Sequence, residues 1–66
     1  MRLTINGENR EFPEGSTLLA IMDELRITDK VMACAVNMEI VKKESWESYV
    51  PKEDDKIEML HFVGGG

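Results

Sequence analysis

The printed sequence ends in three consecutive glycines, and this segment offers the clearest opportunity for covalent chemistry. Gly64, Gly65 and Gly66 follow directly on the largely apolar run 59–63. Because glycine has no Cβ, such a segment can enter a narrow channel in the active site of another protein. Residues 63–66 would reach roughly 10–14 Å when extended. We therefore expect an exposed, flexible tail that presents the Gly66 carboxylate; the alternative is a frayed end or a remnant of cloning.

Cys34 and His61 are two further candidates for chemistry, and each residue type occurs once. Cys34 lies in the apolar run 31–36, where we expect a small buried hydrophobe rather than a reactive thiol. It has no disulfide partner and no metal-ligand spacing with His61, so no metal site is predicted. No nucleophile or base is placed to form a dyad with His61, and no catalytic residue is predicted.

Length and charge limit the class of protein. Sixty-six residues predict a single domain, 1–66, whose core is small because so short a chain buries only about 60% of its unfolded surface. The net charge of −5 disfavours binding to nucleic acid or to an anionic membrane and suits a basic protein partner. No apolar run approaches the roughly 20 residues of a membrane span, and no secretion signal opens the chain, so we expect a cytoplasmic location.

Five segments have the alternation or the residue types that favour strands. They are residues 1–5, 8–12, 31–36, 40–41 and 56–62. The dipeptide Asn6-Gly7 favours a type I′ turn, which would join the first two strands as a hairpin.

One helix is predicted between the hairpin and the third strand. Ser16-Thr17 offers its N-cap, and we expect it to end near Arg26, because β-branched residues follow. Its apolar stripe, spaced i, i+3, i+4 and i+7, consists of Leu18, Ile21, Met22 and Leu25. Residues 42–49 predict a loop with a helical turn, which Trp46 would plug onto the domain.

The order strand, strand, helix, strand, strand, strand predicts an α+β fold. It matches a β-grasp, the ubiquitin-like fold, in which a mixed four- to five-stranded sheet packs on one helix. A ferredoxin-like fold would require a second long helix, which the sequence does not predict. Because a single helix covers one face of the sheet, we expect the other face to be open.

Alternation in the last strand predicts which side chains occupy that open face. We expect Ile57 and Met59 in the core, because Glu58 would be costly to bury without a partner. Leu60 and Phe62 would then share the open face with Glu58. The alternative is that Phe62 folds back over the edge of the sheet.

The same alternation applied to the third strand places Met32, Cys34 and Val36 inside and the small Ala33 and Ala35 outside. The resulting surface beside the glycines would be flat and apolar. Exposed apolar patches often mark partner sites. The predicted partner-binding surface consists of Leu60, Phe62, Ala33 and Ala35.

These features together resemble a known family, over the full 66 residues of the chain. The motifs that carry the resemblance are Asn6-Gly7, the run Glu-Gly-Ser-Thr-Leu-Leu at 14–19, Ala35-Val36-Asn37, Ile40-Val41 and the ending His61-Phe62-Val63-Gly64-Gly65-Gly66. The glycine pair after an aromatic-bearing strand is the most specific of them. The chain resembles the ThiS/MoaD group of ubiquitin-like sulfur carriers, and within it most of all the ThiS family.

The resemblance implies a carrier and a substrate of other enzymes, not an enzyme. In such carriers a ThiF-like adenylating enzyme uses ATP and magnesium to activate the terminal carboxylate, and the carrier itself binds no cofactor. A sulfur relay that starts from a cysteine desulfurase then forms a thiocarboxylate, and its sulfur passes to a synthase, for ThiS a ThiG-like thiazole synthase. Here Gly66 would carry the adenylate and then the sulfur, Gly65 would complete the diglycine, and Gly64 stands where the family varies.

Three other functions remain open from the sequence. A MoaD-like carrier for molybdopterin, tRNA thiolation or amino-acid sulfuration is the nearest, although such chains tend to be longer and often have prolines before the diglycine. A TGS-like β-grasp module that contacts RNA would share the fold, but the acidic charge disfavours it. A protein modifier that forms isopeptide bonds would begin with the same activation step.

Overall fold

The computed structural model describes residues 1–62 and confirms the predicted α+β class and β-grasp fold. Its strands are β1 (Arg2–Ile5), β2 (Glu8–Glu11), β3 (Val31–Val36), β4 (Glu39–Ile40) and β5 (Lys56–His61). The helix α1 spans Leu18–Glu24, and short 3₁₀ helices span Thr28–Lys30 and Lys43–Ser45.

The five strands form one mixed sheet in the order β2-β1-β5-β3-β4. β5 lies at the centre, parallel to β1 and antiparallel to β3. The outer pairs, β1 with β2 and β3 with β4, are antiparallel hairpins. The last strand along the chain is therefore the strand that joins the two hairpins into one sheet.

The first hairpin forms at the predicted dipeptide. Asn6 and Gly7 have φ values of 49° and 85°, the left-handed pair that a type I′ turn requires. Asparagine tolerates this region better than most residues, and glycine enters it without a steric penalty.

Two local motifs define the ends of α1. The Thr17 side-chain oxygen accepts a hydrogen bond from the Ala20 N–H at 3.1 Å, which confirms the predicted N-cap. At the other end Arg26 has a φ of 62°, and the Ile27 N–H donates to the Met22 carbonyl at 3.0 Å. This is a Schellman ending, so the helix stops by backbone capping and not only because β-branched residues follow. Within residues 1–62, none of the helices has the length and apolar character that crossing a bilayer demands.

The core lies between α1 and one face of the sheet. The helix contributes Leu18, Ile21 and Met22, all fully buried, and the central strand contributes Ile57 and Met59. The remaining buried hydrophobic residues are Leu3, Ile5, Phe12, Val31, Cys34, Val36 and Trp46. The Trp46 indole N–H donates to the Val41 carbonyl at 2.9 Å, which confirms that this side chain plugs the loop onto the domain.

The predicted burial of Met32 is wrong, because β3 contains a bulge. Between Val31 and Ala33 the chain advances by two residues, while the partner strand β5 advances by one, from His61 to Leu60. Such an insertion reverses the alternation on one side of it. Val31 is therefore buried and Met32 is 54% exposed, while Cys34 and Val36 remain inside as predicted.

We predict that the adjacent substitutions Met59→Ala and Leu60→Ala have opposite consequences for stability. Met59 is 4% exposed, and its truncation should lower the free energy of unfolding by about 2–5 kcal/mol, since it leaves a cavity in the core. Leu60 is 62% exposed, and its truncation should change that free energy by no more than about 0.5 kcal/mol. Urea unfolding followed by circular dichroism measures both, and equal losses would contradict the assigned faces.

Candidate functional site: the open face of the sheet

The face of the sheet opposite α1 carries exposed apolar side chains near the end of β5, from Leu60 within the strand and from Phe62 directly after it. Leu60 is 62% exposed and Phe62 is 67% exposed, whereas Ile57 and Met59, on the other face, are buried. The predicted orientation of the last strand is confirmed. Phe62 does not fold over the edge into the core; its N–H donates to the Lys30 carbonyl at 3.1 Å, which continues the pairing beyond β5.

The two small residues of β3 lie beside these side chains. Ala33 is opposite Leu60 and Ala35 is opposite Glu58 in the antiparallel register. Directly opposed residues of neighbouring strands present their side chains on the same face. The structure therefore brings Leu60, Ala33 and Ala35 onto one face, as predicted, with Glu58 among them.

Ile40 extends this surface and was missed by the sequence prediction. It lies opposite Ala35 in the β3–β4 hairpin and is 72% exposed. The signal for it was present, because a two-residue turn at Asn37-Met38 fixes which residue of β4 faces Ala35. We define the open-face patch as Leu60, Phe62, Ala33, Ala35 and Ile40.

Charged groups border the patch at the amino-terminal end of β5. A shallow surface groove there is lined by Asn37, Met38, Asp54, Lys56 and Glu58. Of its charged residues two are acidic and one is basic. An apolar centre with a charged border is the usual composition of a protein-docking surface.

His61 lies on the opposite side of β5 from the patch. It is half-buried and pairs with Val31 in the sheet, and its Nδ1 lies 3.2 Å from the Phe62 carbonyl oxygen.

The thiol of Cys34 is inaccessible to reagents in the folded chain, because it lies in the core. Its side chain is 1% exposed, and burial raises the pKa of the thiol from its ordinary value of 9.0 to about 11. The thiolate, not the thiol, is the nucleophile. Burial and the raised pKa therefore disfavour Cys34 as the point of sulfur attachment in the folded chain.

The predicted tail, residues 63–66, lies outside the described residues, and so do the roles predicted for Gly64, Gly65 and Gly66. The structure reaches Phe62, the last residue before it.

Fold and open face together define a ubiquitin-like β-grasp domain with one uncovered apolar sheet face. A family model described as the ThiS family matches residues 3–66, and the chain belongs to that family.

Similar proteins fall into two groups, thiazole synthases and sulfur carrier proteins. The chain is 39% identical, over all 66 residues, to a thiazole synthase of Paramagnetospirillum magneticum, of which it covers 20%. It therefore spans about one fifth of the length of that relative. It is 24% identical to the sulfur carrier protein ThiS of Escherichia coli, with complete coverage of both chains.

A solved structure shows the same fold. The crystal structure of the thiamine biosynthesis protein ThiS from Geobacter metallireducens superposes on the whole chain with a TM-score of 0.73 at 27% identity, and all of that chain is covered.

We predict that Cys34 reacts slowly in the native chain. At pH 8 the raised pKa alone lowers the thiolate fraction about 100-fold relative to the unfolded chain, and burial slows access further. Iodoacetamide labelling followed by mass spectrometry, with and without urea, measures the ratio of the rates. Similar rates in both conditions would contradict the burial of this thiol.

The same raised pKa predicts how stability depends on pH. Between pH 9 and pH 11 the folded chain keeps the Cys34 proton while the unfolded chain releases it, so the free energy of unfolding should fall as pH rises through this range. The contribution is complete below about pH 9. Urea unfolding of the wild type and of Cys34→Ala across this range isolates it, and identical slopes would count against the assignment.

Proposed function

We propose that this chain is a sulfur carrier of thiamine biosynthesis, and that the Gly66 carboxylate carries the sulfur destined for the thiazole ring. The observation that supports the proposal most is the ThiS family match over residues 3–66, which includes the glycine segment. The open-face patch next to that segment is a suitable surface by which enzymes would hold the chain.

The chemistry of a carboxylate requires activation before sulfur can be attached. The Gly66 carboxylate would attack the α-phosphorus of ATP and release pyrophosphate, which gives an acyl-adenylate. A persulfide from the relay would then attack the carbonyl carbon and expel AMP, which gives an acyl disulfide. A thiol would reduce the S–S bond of this intermediate, which releases the thiocarboxylate and leaves the thiol sulfur in a disulfide with the relay. The folded domain takes no catalytic part in either step, so we assign it the role of carrier and not of enzyme.

Three partners follow from this sequence of reactions. A ThiF-like adenylating enzyme supplies ATP and magnesium, a cysteine desulfurase starts the sulfur relay, and a ThiG-like thiazole synthase accepts the sulfur. The thiazole synthase relatives support the last of these, because a segment similar to this whole chain lies within the same polypeptide. Covalent linkage of two partners raises their effective concentration. We place these steps in the cytoplasm, where ATP is available.

We further propose that the open-face patch is the docking surface for the adenylating enzyme and the synthase. An exposed apolar side chain contributes to association only when it is desolvated, and Phe62 offers the largest such side chain on the patch. Its position directly before residues 63–66 sets the separation between the docked surface and the Gly66 carboxylate. The acidic border would favour basic surroundings on the partner.

The first prediction from this proposal concerns the site of sulfur attachment. Incubated with a ThiF-like enzyme, ATP, magnesium, a cysteine desulfurase, cysteine and a thiol reductant, the chain should exchange one oxygen for sulfur at Gly66, as intact mass and fragmentation would show. The variant Cys34→Ala should be modified equally, since the buried thiol is not used. A chain extended by one residue after Gly66 should remain unmodified. Sulfur on Cys34, or on the extended chain, would overturn the proposal.

The second concerns docking. Phe62→Ala should weaken binding to the adenylating enzyme about tenfold or more, because the loss of roughly 1.5–3 kcal/mol of apolar burial is not replaced. The melting temperature should change little, as Phe62 lies outside the core. Val50→Ala is the control, because Val50 is also exposed, at 45%, but lies near the start of α1 and not on the open face. The residue before it, Tyr49, accepts a hydrogen bond from the Leu18 N–H through its carbonyl. Isothermal titration calorimetry compares the variants, and equal weakening by both would refute this docking surface.

A further inference from the structure

The Asn6 side chain binds the main chain of the central strand at two points. Its Oδ1 accepts a hydrogen bond from the Met59 N–H at 2.7 Å, and its Nδ2 donates to the Met59 carbonyl at 3.1 Å. The two residues are 53 positions apart in the sequence. One amide therefore satisfies both polar groups of a single backbone residue in β5.

This contact continues the ladder between β1 and β5 after β1 has turned away. The Thr4 N–H donates to the Asp55 carbonyl at 3.0 Å, and the Asn6 N–H donates to the Ile57 carbonyl at 2.9 Å. The next carbonyl in this series of alternate residues is that of Met59. The main chain cannot reach it, since Asn6 has entered the hairpin turn, and the side-chain amide takes the place of the missing strand residue.

Asparagine suits this position for two reasons. The position has a φ of 49°, which asparagine and glycine tolerate better than other residues. Among these two, only asparagine has a donor and an acceptor on one short side chain.

The contact fixes the part of β5 from which the chain leaves the domain. Beyond Ile57, the described register pairs β5 with β3 on one side, and that pairing contains the bulge at Met32. On the other side, the described hydrogen bonds to Met59 come from Asn6. The residue that follows Met59 is Leu60, the first apolar residue of β5 in the open-face patch.

We propose that Asn6 is a positioning residue for the carboxyl-terminal segment: its amide holds the end of β5, from which that segment leaves the domain, in one place relative to the open-face patch. The effect on catalysis rests on the function proposed above. Chemistry at a bound carboxylate depends steeply on its placement, and a displacement of about 1 Å can cost a factor of about 100 in rate. The contact thus links a turn at the start of the chain to the reaction at its end.

Asn37 provides a matched control at the other end of the same strand. It also has a left-handed φ, of 50°, and its Oδ1 accepts from the Lys56 N–H at 3.0 Å. Its Nδ2 donates to the Asp55 carboxylate at 2.9 Å. Replacement of either asparagine by glycine keeps the backbone conformation accessible and removes the side-chain bonds, but only Asn6 contacts the end of β5 that leads to Gly66.

The test compares Asn6→Gly with the wild type and with a control variant in two measurements, and the control in the first is Asn37→Gly. The first, hydrogen exchange and backbone order parameters by NMR, needs no partner. In Asn6→Gly the Met59 amide should exchange about tenfold faster, and the order parameters of residues 60–62 should fall; in Asn37→Gly both should match the wild type. If Asn6→Gly does not fold, Asn6→Asp replaces it. The carboxylate keeps the acceptor for the Met59 N–H and loses the donor to the Met59 carbonyl, so the criteria are then the order parameters of residues 60–62 and kcat.

The second measurement is the steady-state rate of pyrophosphate release with a ThiF-like enzyme. Asn6→Gly should lower kcat at least about fivefold and leave KM within about twofold, because the patch still docks while the carboxylate is misplaced. Asn9→Ala, in the edge strand β2, is the control here, because Asn37 lines the groove that borders the patch. It should leave both constants unchanged. Equal losses in Asn6→Gly and Asn9→Ala, or an unchanged Met59 amide in Asn6→Gly, would overturn the proposal. Absence of adenylation in the wild type would refute the proposed function instead, and the NMR comparison would still decide whether Asn6 orders residues 60–62.

Discussion

The fold and the proposed binding surface both depend on the position of β5 at the centre of the sheet. β5 pairs with β1 on one side and β3 on the other, so it joins both hairpins, and its side chains alternate between the core and solvent. The seven-residue helix α1 covers one face of the five-stranded sheet. Ile57 and Met59 stabilise the domain from that side, while Leu60 and Phe62 remain exposed on the other. These apolar groups remain exposed because α1 covers only one of the two faces of the sheet.

Within this one strand, the side chains on the inner face stabilise the fold, and those on the outer face are available to bind a partner. Truncation of an inner residue is expected to affect folding, and truncation of an outer residue is expected to affect association. The glycine segment follows the same strand in the sequence, so a partner that docks on the outer face binds only a few residues before the proposed reacting carboxylate. In the proposed function, the domain is the part of the chain that the enzymes bind, and those enzymes supply the chemistry.

Local signals in the sequence were sufficient for most of the fold. Asn6-Gly7 predicted the first hairpin, Thr17 predicted the start of α1, and the alternation around Glu58 predicted both faces of β5, because each depends on residues close in sequence. The burial of Met32 was predicted wrongly, since the bulge in β3 arises from its pairing with β5 and has no local signature.

The sequence analysis also missed contacts that depend on three-dimensional register. Ile40 joins the open-face patch through its pairing with Ala35, which becomes evident once the β3–β4 turn is known. The Asn6 amide was recognised only as part of a turn; its bonds to Met59 span 53 residues and cannot be inferred from a dipeptide. The glycine residues, by contrast, attract attention from sequence alone, because their proposed role depends on residue type and not on packing.

Hydrogen–deuterium exchange of the chain, alone and bound to a ThiF-like adenylating enzyme, tests the central claim most directly. The claim is that the enzyme docks on the sheet face opposite α1. We expect binding to slow exchange in peptides that cover residues 33–40 and 56–62, while the peptide that contains Leu18–Glu24 exchanges at its free rate. Protection of the helix peptide without protection of residues 56–62 would place the enzyme on the wrong side of the sheet and contradict the account.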